Sequence, residues 1–274
     1  MLYIGTSGFS YDDWVGTFYP EKTPKKNMLA YYARVFPAVE INSTYYAIPP
    51  ASSFAAMARN TPENFKFVVK AHKEMTHADQ PEQGAFDAFF SAVEPLKEAG
   101  KLGCILVQYP WGFKRTHENE ARLLELKDRV GGLPTVIELR NQEWAADETY
   151  DFLGNLGLGF CCVDEPELNG LMPRTATRTS GIGYVRFHGR NSEKWWQHDQ
   201  AYERYNYLYP EEELQEWVPK VAAIDNGASD TYLFFNNHYK GKAADNARAF
   251  ARMLGLTINE LRNPRQLTLD DLVL

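Results

Sequence analysis

Eight short apolar runs punctuate the chain, and nearly every one closes on a polar or charged residue. The runs are LYIGTS, VEINSTYY, FKFVVKAH, CILVQYP, TVIELR, GFCCVD, GYVRFHG and YLFFNN. Their ends carry Ser7, Glu40 with Asn42, Lys70 with His72, Gln108, Glu138 with Arg140, Asp164, Arg186 with His188, and Asn236 with Asn237. Most connections between runs have apolar spacing near three and four, the mark of an amphipathic helix. Such patterns cover roughly 25–36, 51–59, 83–100, 117–130, 145–156, 211–224 and 241–255. Eight strand-then-helix units describe a (β/α)8 TIM-like barrel, and polar residues at the C-terminal strand ends are what an active-site ring looks like in sequence.

A chain of 274 residues suits one barrel domain spanning 1–274, since such barrels typically run to about 250 residues. The 44% apolar content supplies a core, and the net charge of −7 argues against wholesale coating of nucleic acid, which needs a basic footprint. No apolar run approaches the roughly 20 residues of a membrane helix. No signal peptide is read at MLYIGTSGF, so a cytoplasmic location is expected. Cys104, Cys161 and Cys162 all fall in predicted strands, and the vicinal pair points to opposite faces. Buried, reduced thiols are the simpler account.

Two connections depart from the helical rule. Residues 165–181 are polar and marked by Gly and Pro, with no clear helix. Residues 189–210 form a long excursion rich in aromatics, among them Trp195, Trp196, Tyr202 and Tyr205. Loops beyond about 12–15 residues are usually functional or disordered, and the aromatic density speaks against disorder. This loop is expected to fold over or beside the ring. The tail after about 257 reads as a surface helix or strap. Pro95 weakens the expectation of an unbroken helix over 83–100.

Strand alternation sorts the ring. Glu40 and Asn42 turn inward while Val39 and Ile41 face the helices. Val68, Lys70 and His72 share a face, as do Val136, Glu138 and Arg140. So do Phe160, Cys162 and Asp164, and Tyr184, Arg186 and His188. Buried charges need partners, so ion pairs such as Glu40 or Glu138 with Lys70, Arg140 or Arg186 compete with catalytic roles for each residue. The ring as a whole favours a ligand site.

Glu138, His188, Lys70 and Asp164 are the candidate catalytic groups. Glu138 would act as acid or base, His188 as proton carrier, and Lys70 as a desolvated amine. Ser7, Glu40, Asn42, Gln108, Arg140, Arg186, Asn236, Asn237 and Trp195 are candidate ligand contacts. Guanidinium groups at 140 and 186 suit a carboxylate or phosphate. A divalent metal on Glu138, Asp164 and His188 is a weaker reading, without a local motif such as HExxH. No cofactor is assigned. The chain has no GxSxG, GxGxxG or GxxxxGK[ST].

GTSGFSYDDWVGTFYP at 5–20, EINSTYYAIP at 40–49, FKFVVKAHKEMTH at 65–77, LVQYP at 106–110, IELRNQEW at 137–144, VRFHGRN at 185–191 and FFNNHYKGKAADNA at 234–247 occur in order. Together they resemble domain-of-unknown-function family 72, over nearly the whole chain. The resemblance implies a TIM-like barrel with these motifs at one mouth, and it supplies no activity. An analogy with endonuclease IV-like barrels meets no matching His/Asp/Glu metal cluster here. Three functions are therefore carried forward. The first is an acid–base enzyme, a hydrolase or a lyase/isomerase, acting on a small polar or anionic molecule such as a sugar phosphate, sugar acid or nucleotide derivative. The second, less favoured, is a nucleic-acid-binding or processing protein. The third is a ligand-binding barrel without turnover.

Overall fold

A computed structural model describes residues 1–78 and 80–258. The strap expected after 257 lies, from 259 onward, outside the described residues. The fold is mixed α/β, with parallel strands throughout its two sheets. Strands β1 (Leu2–Thr6), β7 (Cys162–Asp164), β8 (Ile182–Phe187) and β9 (Asp230–Phe235) form one sheet in the order β1-β9-β8-β7. Strands β2 (Ala38–Ile41), β3 (Lys66–Lys70), β4 (Leu102–Gln108), β5 (Thr135–Glu138) and β6 (Gly159–Phe160) form the other, in sequence order. Their Val, Ile, Leu and Phe residues are almost all buried, as in strands covered on both faces.

The expectation of one continuous eight-strand ladder is met only in part. The sixth run is divided between the sheets: Phe160 pairs with Ile137, and from Cys162 the chain pairs with Val185. At the other seam a single parallel bridge joins Ser7 to Glu40, with Gly8 N donating to Glu40 O at 2.8 Å. Gly5 permits that approach, because a Cβ there would sit 2.0 Å from the carbonyl oxygen of Ala38.

Helices α1 (Lys25–Tyr32), α2 (Ala51–Arg59), α3 (Lys73–Thr76), α4 (Gln83–Glu98), α5 (His117–Arg129), α6 (Asp147–Asn155), α7 (Glu211–Gln215), α8 (Trp217–Asp225) and α9 (Lys242–Met253) connect the strands. Helix α5 shows why its sequence is helical. Thr116 caps Asn119 N, Glu118 and Glu120 sit in the first turn, and Lys127 and Arg129 sit in the last. Helix α4 runs unbroken through Pro95, which stands near its C-terminal end. The short α3 interrupts the connection after β3, and His72 caps it instead of joining the ring. Residues 165–181 carry no helix, as expected, and bridge to Asn141 through Leu171. No described helix is long and apolar enough to cross a membrane.

Candidate functional site at the C-terminal strand ends

The centre of the site is a buried chain of charges. Arg186, near the end of β8, reaches across to Glu40 on β2, with Nη2 to Oε1 at 2.7 Å and Nε to Oε2 at 3.0 Å. Its Nη1 donates to Glu138 Oε2, at the end of β5, at 2.5 Å. Tyr184 donates its hydroxyl to Glu40 Oε2 at 2.6 Å. Glu138 Oε1 also meets Arg140 Nη1 at 3.1 Å, and Arg140 Nη2 lies 3.0 Å from Glu165 Oε2. One cation from the first sheet is thus clamped by carboxylates of the second. Leaving any member unpaired would strand a buried charge.

These contacts set the proton affinities. Burial works to raise the Glu138 carboxyl, but Arg186, His188 and Arg140 outweigh it and hold the group well below the usual carboxylate range. The same contest, with Arg186 and Tyr184 against burial, lowers Glu40. Both are fixed anions at neutral pH, so neither can donate a proton there. His188 is driven the other way. Burial lowers it to about 4 despite Glu138, whose Oε1 lies 3.4 Å from Nε2. The Asn236 amide packs against His188 Nδ1 at 3.1 Å, which suits a neutral ring accepting at Nδ1.

Two groups are poised near neutrality. Burial and the neighbouring Arg186 bring Lys70 down to about 8, against the pull of Glu138 and Glu40. Its ammonium lies 4.5 Å over the ring of Tyr45, and among the described residues no carboxylate comes within ion-pair distance of it. Burial raises Glu165 to about 7, against Arg140, while Met172 N donates to its Oε1 at 3.2 Å. Glu165 also borders a cavity of about 250 Å³ shared with Met172 and Arg174.

The loop at 189–210 folds over this cluster. Trp195 is buried, with its ring 5.6 Å from the Arg140 guanidinium and 6.4 Å from His188. Tyr205 stands 6.2 Å from the same imidazole. Trp196 faces outward, edge-on to Trp111. On the opposite flank, Tyr11 stacks on His238 at 4.7 Å and donates to Ser7 O at 2.7 Å.

Glu40, Lys70, Glu138, Arg140, Arg186, His188, Asn236 and Trp195 are therefore brought together. Ser7 is bridged to Glu40, Asn42 follows β2 in the same place, and Gln108 is in register with Glu138. Two candidates stand apart. Asp164 accepts from Arg190 Nη2 at 2.7 Å, Tyr209 OH at 2.7 Å and Trp217 Nε1 at 2.7 Å, all on the helix side of the sheet. Asn237 donates to Tyr207 O and to Asn246 of α9. The inward face assigned to the sixth run is thus corrected. Phe160 packs on Tyr150 of α6, and Cys162 contacts residues 175–177. Cys161 faces the charges and Glu165 supplies the inward carboxylate. The run is apolar on both faces, so alternation alone had no contrast to read. The adjacent acids in VDEPEL were the only cue. Glu138, His188 and Asp164 do not converge, so the carboxylate–histidine metal set does not fit. Among the described residues no other group of three such side chains is gathered for a metal.

Family comparison agrees with the motifs. A family model described as "Protein of unknown function DUF72" matches residues 3–268. The chain belongs to the DUF72 family. The UPF0759 protein YunF of Bacillus subtilis is 33% identical over 285 residues, covering 98% of this chain and all of that protein. The crystal structure of a DUF72 family protein, TM1631 of Thermotoga maritima, superposes with a TM-score of 0.86 at 41% identity, over 93% of this chain and 99% of that one. A DUF72 family protein of Enterococcus faecalis, EF0366, gives 0.85 at 30% identity, over 98% of this chain and 100% of that one.

Proposed function

We propose that this DUF72 chain is a closed (β/α)8 barrel that binds a small anion at its mouth and acts on it by acid–base chemistry. Closure is supported by the Ser7–Glu40 bridge at one seam and the divided sixth run at the other. Residues 1–274 then make one domain.

One observation carries the ligand reading. Lys70 is the cation of the cluster that no carboxylate among the described residues answers, whereas Arg186 and Arg140 are paired. An entering carboxylate or phosphate would supply the missing charge, with Asn42, Gln108 and Asn236 as neutral neighbours. A sugar phosphate, sugar acid or nucleotide derivative has suitable chemistry. Lys70 and Glu165 titrate nearest to neutral pH, so they are the acid–base pair to test for a hydrolase or a lyase/isomerase. Glu138 and Glu40 orient Arg186, and His188 stays neutral beside them. Three free, buried cysteines support a cytoplasmic location. A nucleic-acid role is disfavoured by the net charge of −7 and by arginines already held by carboxylates.

Thermal melts and calorimetry with panels of sugar phosphates, sugar acids and nucleotides test the reading. One class should raise the wild-type melting temperature, and Lys70→Gln should abolish that shift. Affinity should weaken as pH rises through about 8, where Lys70 loses its proton. Glu165→Gln should keep binding and lose turnover. Anions that never shift the melt at millimolar concentration would overturn the proposal. Binding without turnover would leave a ligand-binding barrel.

A further inference from the structure

A second feature lies at the end of β2, the strand next to the lysine's own, and bears on what the anion is attached to. A cavity of about 520 Å³ opens beside the ends of β1 and β2, within the size range of small-molecule sites. Phe9, Tyr11, Ile41, Tyr46 and Met57 give it a mainly apolar and aromatic wall, and Asn42, Ser10 and Ser43 are its polar part. Asn42 is also the link to Lys70. Ile41 pairs with Val69 in the parallel ladder, Asn42 is the first residue after β2, and Thr44 donates its hydroxyl to Lys70 O at 2.6 Å, so the turn that carries Asn42 is held against the end of β3. Asn42 Oδ1 is buried without a hydrogen-bond partner. Tyr46 is 74% exposed at the outer edge, where its ring face is open to a ligand. It meets Tyr45 edge-on at 5.0 Å, and Tyr45 in turn carries the Lys70 ammonium on its face.

We infer that the ligand is an anion bearing a ring, with its charged head at Lys70 and its aryl body in the cavity between Tyr11, Tyr46 and Met57. This rests on the anion reading above and narrows it to aryl phosphates and aryl carboxylates. A fully hydroxylated sugar phosphate would leave that wall uncovered. A ring placed there would cover apolar side chains and stack on aromatic faces. The buried Asn42 carbonyl would accept from a hydroxyl or amino substituent on the ring.

Phenyl phosphate and methyl phosphate separate head from body, because they carry the same charge. Calorimetry at pH 7 should show phenyl phosphate binding at least about tenfold more tightly, the gain expected from burying one aromatic ring. Tyr46→Ser changes an exposed side chain, and Met57→Ser shortens the apolar wall without adding charge. Both should erase most of the phenyl preference while leaving methyl phosphate affinity within about twofold. Lys70→Gln should abolish binding of both probes. Equal affinity of the two probes in wild type would overturn the aryl inference and leave the anion site standing. A phenyl preference that survives both wall variants would place the body elsewhere and overturn it too. Binding of neither probe, or binding indifferent to Lys70→Gln, would remove the anion site and this inference together.

Discussion

Arg186 grips Glu40 at two points, with Nη2 on Oε1 at 2.7 Å and Nε on Oε2 at 3.0 Å, and the pair is wholly buried. The contact spans the interior between strands of different sheets. It fixes the direction of the guanidinium, so that the remaining nitrogen meets Glu138. Such a pair contributes little compared with well-packed apolar residues, yet breaking it from one side is expensive.

Glu40→Gln keeps the shape and removes the charge. It should destabilise the fold by about 3–5 kcal/mol in urea unfolding, because Arg186 loses its two-point partner. Adding Arg186→Met to the same chain should cost less than the sum of the two single changes. Additive losses would show that the two residues do not act as a unit. The depressed carboxyls of Glu40 and Glu138 contribute stability above their unfolded range near pH 4.5, and that stability is lost as pH falls below it.

Lys70→Met should act in the opposite sense. A half-buried ammonium with no carboxylate partner among the described residues is a cost to the folded state, so its removal should raise the melting temperature at pH 7, by about 2–4 °C. The lysine is lowered from 10.5 to about 8 on folding. The unfolded chain therefore holds the extra proton between those values, and wild-type stability should rise with pH across that window. The rise should be missing from the variant. A lower melting temperature for Lys70→Met would mean that the ammonium has a structural partner.

Glu165 gives a slope of the other sign. Its carboxyl goes from 4.5 to about 7 on folding. The folded chain holds the extra proton, so this contribution is full below about pH 4.5 and is lost as pH rises through 7. The stability of wild type relative to Glu165→Gln should therefore shrink between pH 5 and pH 8. Paired denaturant titrations at the two pH values measure it, and a widening gap would contradict the assignment.

Asp164→Asn tests a residue that stands outside the cluster. Asp164 accepts from Arg190, Tyr209 and Trp217, and so ties β7 to the loop and to α8. The amide cannot accept from every donor, and the variant should lose about 2–4 kcal/mol. Affinity for the anion probes should be unchanged at a temperature where the variant is folded. A selective loss of binding without loss of stability would return Asp164 to the site.

Local pattern determined much of this protein. The eight apolar runs became the strands, seven helical spacings lie on helices, and inward alternation placed Glu40, Lys70, Glu138, Arg186 and His188 together. Those runs carry charged residues on one face only, so a two-residue period has contrast to read. Tertiary structure decided the rest. GFCCVD is apolar on both faces, and only its division between two sheets shows that Cys161 and Glu165 face the charges while Asp164 faces α8. Partner choice was likewise beyond the sequence, because Arg186 meets Glu40 across 146 residues. Which cation is left without a carboxylate among the described residues depends on distances across the interior. Arg186 and Arg140 reach the carboxylates there, and Lys70 is left over an aromatic ring.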